Sequence, residues 1–77
     1  MITKYIRAAM ERAKYETLED GMFYGEIPGF QGVWGDGDSL DECREVLQGV
    51  LEEWIVLGLQ LGHPLPVVHR GGFVGGR

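Results

Sequence analysis

A chain of 77 residues, 44% apolar and 25% charged, has room for one domain and one core; at this size folding buries about 60% of the unfolded surface. The net charge of −5 is unevenly spread: residues 1–14 carry Lys4, Arg7, Arg12 and Lys14 against Glu11, whereas residues 15–77 carry three arginines against eleven acids, a local excess of −8. An acidic body argues against nucleic acid as the main ligand, because phosphate binding draws on Lys and Arg, and it favours a basic partner.

In chain order, residues 3–14 read as a first helix. Ile2, Ile6, Ala9, Met10 and Ala13 recur at helical spacing and line one face, with Thr3 as the N-cap. Its basic residues fall mostly elsewhere on the wheel. They could touch RNA or DNA, but four positive charges are few and no aromatic stacking platform lies among them, so the favoured expectation is a helix that covers a sheet or a partner subunit. Tyr15 to Leu18 follows as a short strand. Glu19-Asp20-Gly21 is a hairpin turn, since Asp-Gly supplies the positive φ that tight turns demand. Met22 to Ile27 returns as the second strand, with Phe23, Gly25 and Ile27 on one face and Met22, Tyr24 and Glu26 on the other. Pro28 lacks an amide hydrogen and ends it. Phe30 to Trp34 reads as a third strand.

Ser39 and Glu42 then form an S-x-x-E capping box. Asp36, Asp38, Asp41 and Glu42 gather at the positive end of the helix dipole. The run Leu40, Cys43, Leu47, Val50, Leu51, Trp54, Leu57, Leu61 keeps helical spacing for about six turns, so this helix is the main support of the core, and Gly49 within it suggests close packing. Gly58 or Gly62 stops it. Leu65 to Val68 reads as a last strand at a sheet edge because of Pro66. The domain plan is an N-terminal helix over 1–14, a folded unit over 15–68 and a flexible tail over 69–77. The fold class is α+β: a small antiparallel sheet of three to four strands with one long helix packed on it, in the order helix-β-β-β-α-β.

Catalytic equipment is missing. Glu16, Glu26 and Asp36 are the acids on or beside strands, and a third acid is not expected to converge with the other two. Cys43, His63 and His69 match no zinc spacing, and Cys43 reads as a small core residue. No nucleophile triad or nucleotide loop is present. The expectation is a protein that is not an enzyme, with no catalytic residue, metal or cofactor. Lys4 and Arg7 interrupt any signal-peptide run. The apolar stretch Trp54 to Leu61 is far short of the ~20 residues that span a bilayer. A single cysteine allows no disulfide framework within the chain. A cytoplasmic protein without membrane contact is therefore expected.

Glu19-Asp20-Gly21, Phe23-Tyr24, Glu26-Ile27-Pro28-Gly29, Gly37-Asp38-Ser39-Leu40-Asp41-Glu42 and Leu65-Pro66-Val67-Val68 stand in an order that resembles the HicB family of antitoxins over residues 15–68. The resemblance implies a truncated ribonuclease H-like fold. It also implies a toxin-antitoxin function: binding and neutralising a small basic toxin of HicA type that cleaves messenger RNA. Full-length HicB proteins carry a C-terminal DNA-binding module. Only nine residues follow Val68, so operator binding is not expected. The other reading is a stand-alone homo-oligomeric HicB-like domain without a toxin partner.

The partner-binding surface expected from the residues is the exposed sheet side and the hairpin: Glu16, Glu19, Asp20, Tyr24, Glu26, Phe30 and Trp34. Aromatic residues dominate interface hot spots, and acids around them would meet a basic protein. A small sheet leaves edges to be paired, so a homo-oligomer, a dimer or tetramer, is expected as well.

Overall fold

The computed structural model describes residues 2–67. Five elements follow one another: α1 (Ile2–Glu11), β1 (Lys14–Thr17), β2 (Phe23–Glu26), β3 (Trp34–Gly37) and α2 (Leu40–Leu61). The strands form an antiparallel meander in the order β1-β2-β3. This is the α+β arrangement that the periodicities predict.

Helix α1 already includes Thr3, which therefore lies in the first turn and not at the N-cap. The helix stops at Glu11, earlier than the expected 14. Arg12 and Ala13 donate to Ala9 and Met10 carbonyls, which tightens the exit. Ala9 and Met10 are buried, and Tyr5, Ile6 and Ala13 pack against the core. The apolar stripe of α1 thus finds its cover within the chain.

The β1–β2 hairpin closes as its turn residues dictate. Gly21 takes φ 87°, and the Asp20 carboxylate accepts the Met22 amide at 2.9 Å. Such short polar side chains bond their own backbone readily. β2 is shorter than expected, at four residues, and β1 keeps its length but begins one residue earlier, at Lys14.

The third strand is a correction. Residues 28–33, expected to be extended from Phe30 onward, form a tucked loop. Phe30 donates to Ile27 O, Val33 to Phe30 O and Ile27 to Val33 O. Ile27, Phe30 and Val33 point into the core, each at most 3% exposed. Aromatic and branched residues favour strands because such surfaces are half-buried; here a loop buries them fully. The strand starts at Trp34 instead, where the expected one ended.

Helix α2 has both caps. Ser39 Oγ accepts the Glu42 amide at 3.1 Å, while the Glu42 carboxylate accepts the Asp38 amide at 3.0 Å, one residue before the cap itself. Gly62 ends the helix at φ 77°. Its amide bonds Leu59 O, and that of His63 bonds Gly58 O, the paired bonds of a Schellman motif. Cys43, Leu47, Leu51 and Ile55 are buried at fourfold spacing. At 22 residues the helix is about 33 Å long, whereas four-residue strands span about 13 Å. Its last turns overhang the sheet, which leaves Val56, Leu57, Leu59 and Leu61 more than half exposed.

Helix and sheet meet backbone to backbone. A Cβ on Gly37 would lie 2.7 Å from Cys43 N, and one on Gly35 would lie 3.0 Å from Leu47 N. Gly49 plays no such part, having no heavy atom within 4 Å of its Cβ position. Residues 65–67 form no strand. They are held otherwise: Leu65 packs on the core, and Tyr5 Oη donates to the Pro66 carbonyl. Val68 and the tail expected over 69–77 lie outside the described residues.

Candidate functional site

The sheet has two unlike faces because its side chains alternate. The inner face, under α2, presents Tyr15, Thr17, Phe23, Gly25, Gly35 and Gly37. Among the described residues no helix crosses the outer face. Register places its residues in two rows. Tyr24 stands between Glu16 on β1 and Asp36 on β3, and Glu26 stands between Lys14 and Trp34.

Trp34, 51% exposed, lies against Tyr24 with ring centroids 5.9 Å apart and planes 28° from parallel. The Tyr24 hydroxyl donates to Glu26 Oε1 at 3.1 Å. Partial desolvation, then the bond to Glu26, then the negative charges of Glu26 and Glu16 push the Tyr24 phenol above its ordinary range. Beside the aromatic pair opens a shallow groove of roughly 360 Å³, lined by Tyr24, Glu26, the 28–33 loop and Trp34. The arrangement offers a flat aromatic platform ringed by carboxylates. Such a surface suits a cationic side chain, which gains from both the ring faces and the acids.

Of the seven residues expected to bind a partner, Glu16, Tyr24, Glu26 and Trp34 come together here. Glu19 and Asp20 sit at the hairpin tip, beyond the face, and Asp20 is engaged in closing the turn. Phe30 is a correction. It is 3% exposed and packs against Tyr5 and Trp54 at 6.2 and 5.2 Å, because the loop folds it under α2. Trp54 is half-buried, and its indole N–H donates to Gln31 O at 3.2 Å.

Two members of the face escape the sequence reading, in which Asp36 belongs to the lead into the helix and Lys14 to the first helix. Strict alternation from Trp34 would have found Asp36. Glu16, Glu26 and Asp36 all stand on this exposed face, with Tyr24 between Glu16 and Asp36. Among the described residues no group of three or more His, Cys, Asp or Glu is close enough to hold a metal ion. Cys43 lies on the opposite side, fully buried, its thiol 3.6 Å from Gly35 O. Burial, and next the charge of Asp36, push that thiol up. None of the described helices is long and apolar enough to cross a membrane.

Comparison with known proteins supports the same architecture. A family model described as UPF0150-like matches residues 4–66. The crystal structure of TTHA0281 from Thermus thermophilus is similar at a TM-score of 0.83, with 44% sequence identity over 87% of this chain and 84% of that one. No curated protein matches. The matched span takes in most of α1, the whole sheet and α2, and on that ground the chain belongs to the UPF0150-like family.

Proposed function

We propose that this protein is an antitoxin-like binding module of HicB type, which neutralises a small basic, mRNA-cleaving toxin of HicA type by direct contact in the cytoplasm. The observation that carries the reading is the outer sheet face. Glu16, Asp36 and Glu26 surround the Tyr24–Trp34 stack there. A nuclease that binds RNA must present cations where the phosphates lie, and a carboxylate-ringed aromatic platform competes for the same cations. Neutralisation in this scheme is occlusion: the antitoxin supplies no chemistry. The motif order over residues 15–68 and the acidic body point the same way.

Co-expression with a short basic protein of HicA type, sought first in the neighbouring reading frame, tests the reading. The expected result is a stable complex and restored growth. Trp34→Ala and Asp36→Arg should each weaken binding by about 2 kcal/mol, roughly 30-fold, the scale of an interface hot spot. Glu53→Arg, on the exposed side of α2, should leave binding nearly unchanged. Absence of both complex and growth rescue would refute the proposal. A complex indifferent to Trp34 and Asp36 would refute this face as the contact.

A further inference from the structure

Helix α1 packs beside α2, and a groove of roughly 420 Å³ lies between them. Its walls follow from helical spacing. Thr3, Arg7 and Glu11 recur every fourth residue and form one row along α1, while Arg44 and Gln48, also four apart, form the facing row on α2. Its floor is apolar: Met10 is buried and Ile6 half-buried. The groove shares no lining residue with the one beside the Tyr24–Trp34 pair. We infer that it is a binding site for a small organic phosphate, held by Arg7 and Arg44 from two helices.

The chain as a whole stands at −5, yet this groove presents two guanidinium groups against one carboxylate, that of Glu11. Guanidinium groups bind phosphate through paired N–H donors, and two of them on opposite walls hold one phosphate between them. The Thr3 hydroxyl adds a further donor. Gln48 Nε2 donates to Glu52 Oε2 at 3.1 Å, which leaves the Gln48 amide oxygen as an acceptor in the groove. With Glu11 it suits hydroxyl or amino groups on the rest of the ligand, and the floor of Ile6 and Met10 suits an apolar ring or chain. The volume falls within the range of small-molecule sites, about 300–1,000 Å³. Charge tells against a nucleic acid strand here. Glu11 borders the arginines on α1 and Glu52 is bonded to Gln48 on α2, so a polyanion that runs past the arginines meets carboxylates instead of further cations.

Titration of the isotope-labelled chain in phosphate-free buffer at constant ionic strength, followed by amide NMR, tests the inference with adenosine monophosphate as the probe. Shifts should centre on the residues that line the groove and saturate with a Kd of about 1 mM or below. Inorganic phosphate, which cannot use the apolar floor, should move the same amides with weaker affinity. Adenosine, which lacks the phosphate, should bind at least about ten-fold more weakly than the monophosphate, and Arg7→Gln and Arg44→Gln should each weaken monophosphate binding by about ten-fold, the loss of one charge-assisted contact. Lys4→Gln removes the same charge from an exposed residue of α1 outside the groove and should change Kd by less than about two-fold. The amide spectrum of each variant shows whether it is folded. No saturable shift up to about 10 mM would overturn the inference. So would adenosine or inorganic phosphate that matches the monophosphate, or Lys4→Gln that damages binding as much as the arginine variants. A short single-stranded RNA that binds the same amides more than about ten-fold tighter than the monophosphate would mark a polyanion surface and overturn it too. No toxin enters this experiment, so its failure leaves the proposed function standing, and the reverse.

Discussion

Replacing Gly37 by Ala places a Cβ 2.7 Å from the Cys43 amide nitrogen, 3.0 Å from the Glu42 carbonyl carbon and 3.1 Å from Cys43 Cα. All three atoms are backbone of the first turns of α2, so no rotamer change relieves the overlap. Restoring an ordinary 3.4 Å contact needs the helix and sheet to part by about 0.7 Å, against packing of crystal-like density. Overpacking of this kind costs about 1–3 kcal/mol, from a total of roughly 4–12 kcal/mol for a chain of this length. A cost of about 2 kcal/mol corresponds to a fall in Tm of roughly 8–16 °C. Gly49→Ala is the matched control. Its Cβ meets no heavy atom within 4 Å, and the exchange removes a helix-interior penalty of about 1 kcal/mol, so Tm should rise by about 4–8 °C. Thermal melts by far-UV circular dichroism read both, at one protein concentration, because self-association makes Tm concentration-dependent. A Gly37→Ala melt within about 2 °C of wild type, or shifts of the same sign for the two variants, would refute the backbone-contact argument.

Ser39→Ala removes the acceptor for the Glu42 amide and should cost about 1 kcal/mol, whereas Ser39→Asp should keep most of it; urea midpoints distinguish them. Trp54→Phe keeps a ring against Phe30 but leaves Gln31 O without its indole donor, and should cost about 1 kcal/mol by the same assay. Alkali should destabilise the fold in a defined direction. Burial first of all raises the phenols of Tyr5 and Tyr15, opposed in part by Arg12 and Arg44, and Tyr24 is raised as well. Groups that hold their protons longer when folded add stability that is complete below the unfolded value, 10.0 for tyrosine and 9.0 for Cys43, and is lost as pH rises beyond it. Urea midpoints should thus fall progressively above pH 9.0, and Tyr24→Phe should flatten part of the loss. A rising or level midpoint there would contradict the stated sign. The Cys43 thiol, buried and shifted upward, should react with a disulfide reagent only as fast as the chain unfolds.

What the sequence disclosed was local. Ser39, Glu42 and Gly62 set the ends of α2 by side-chain and backbone rules that act within four residues, and Asp20-Gly21 set the hairpin in the same way. Alternation around Tyr24 correctly grouped Glu26 with the outer face. The third strand was hidden because its decisive contacts are remote. Trp34-Gly35-Asp36-Gly37 has poor strand propensity, and its glycines are required by a helix that begins afterwards. The run before it looks like a strand because Phe30 and Val33 are core residues delivered by a loop. That single misplacement put Phe30 among the binding residues and kept Asp36 out. Lys14 was missed because α1 ends at Glu11, a boundary no proline or glycine marks.

The loop between β2 and β3 also decides where this chain can be cut. Tyr5 on α1 and Pro66 beyond α2 are tied to one another, so the two arms of the fold stay together when the chain is opened between them. New termini at Asp20 and Gly21 would cost only an exposed tip. New termini at Gly29 and Phe30 would release three of the most occluded side chains in the molecule at once, and the rim of the aromatic platform with them. For anyone splitting, tagging or permuting the protein, the hairpin tip is the permissive site, and the second bend is as indispensable as the helix it underlies.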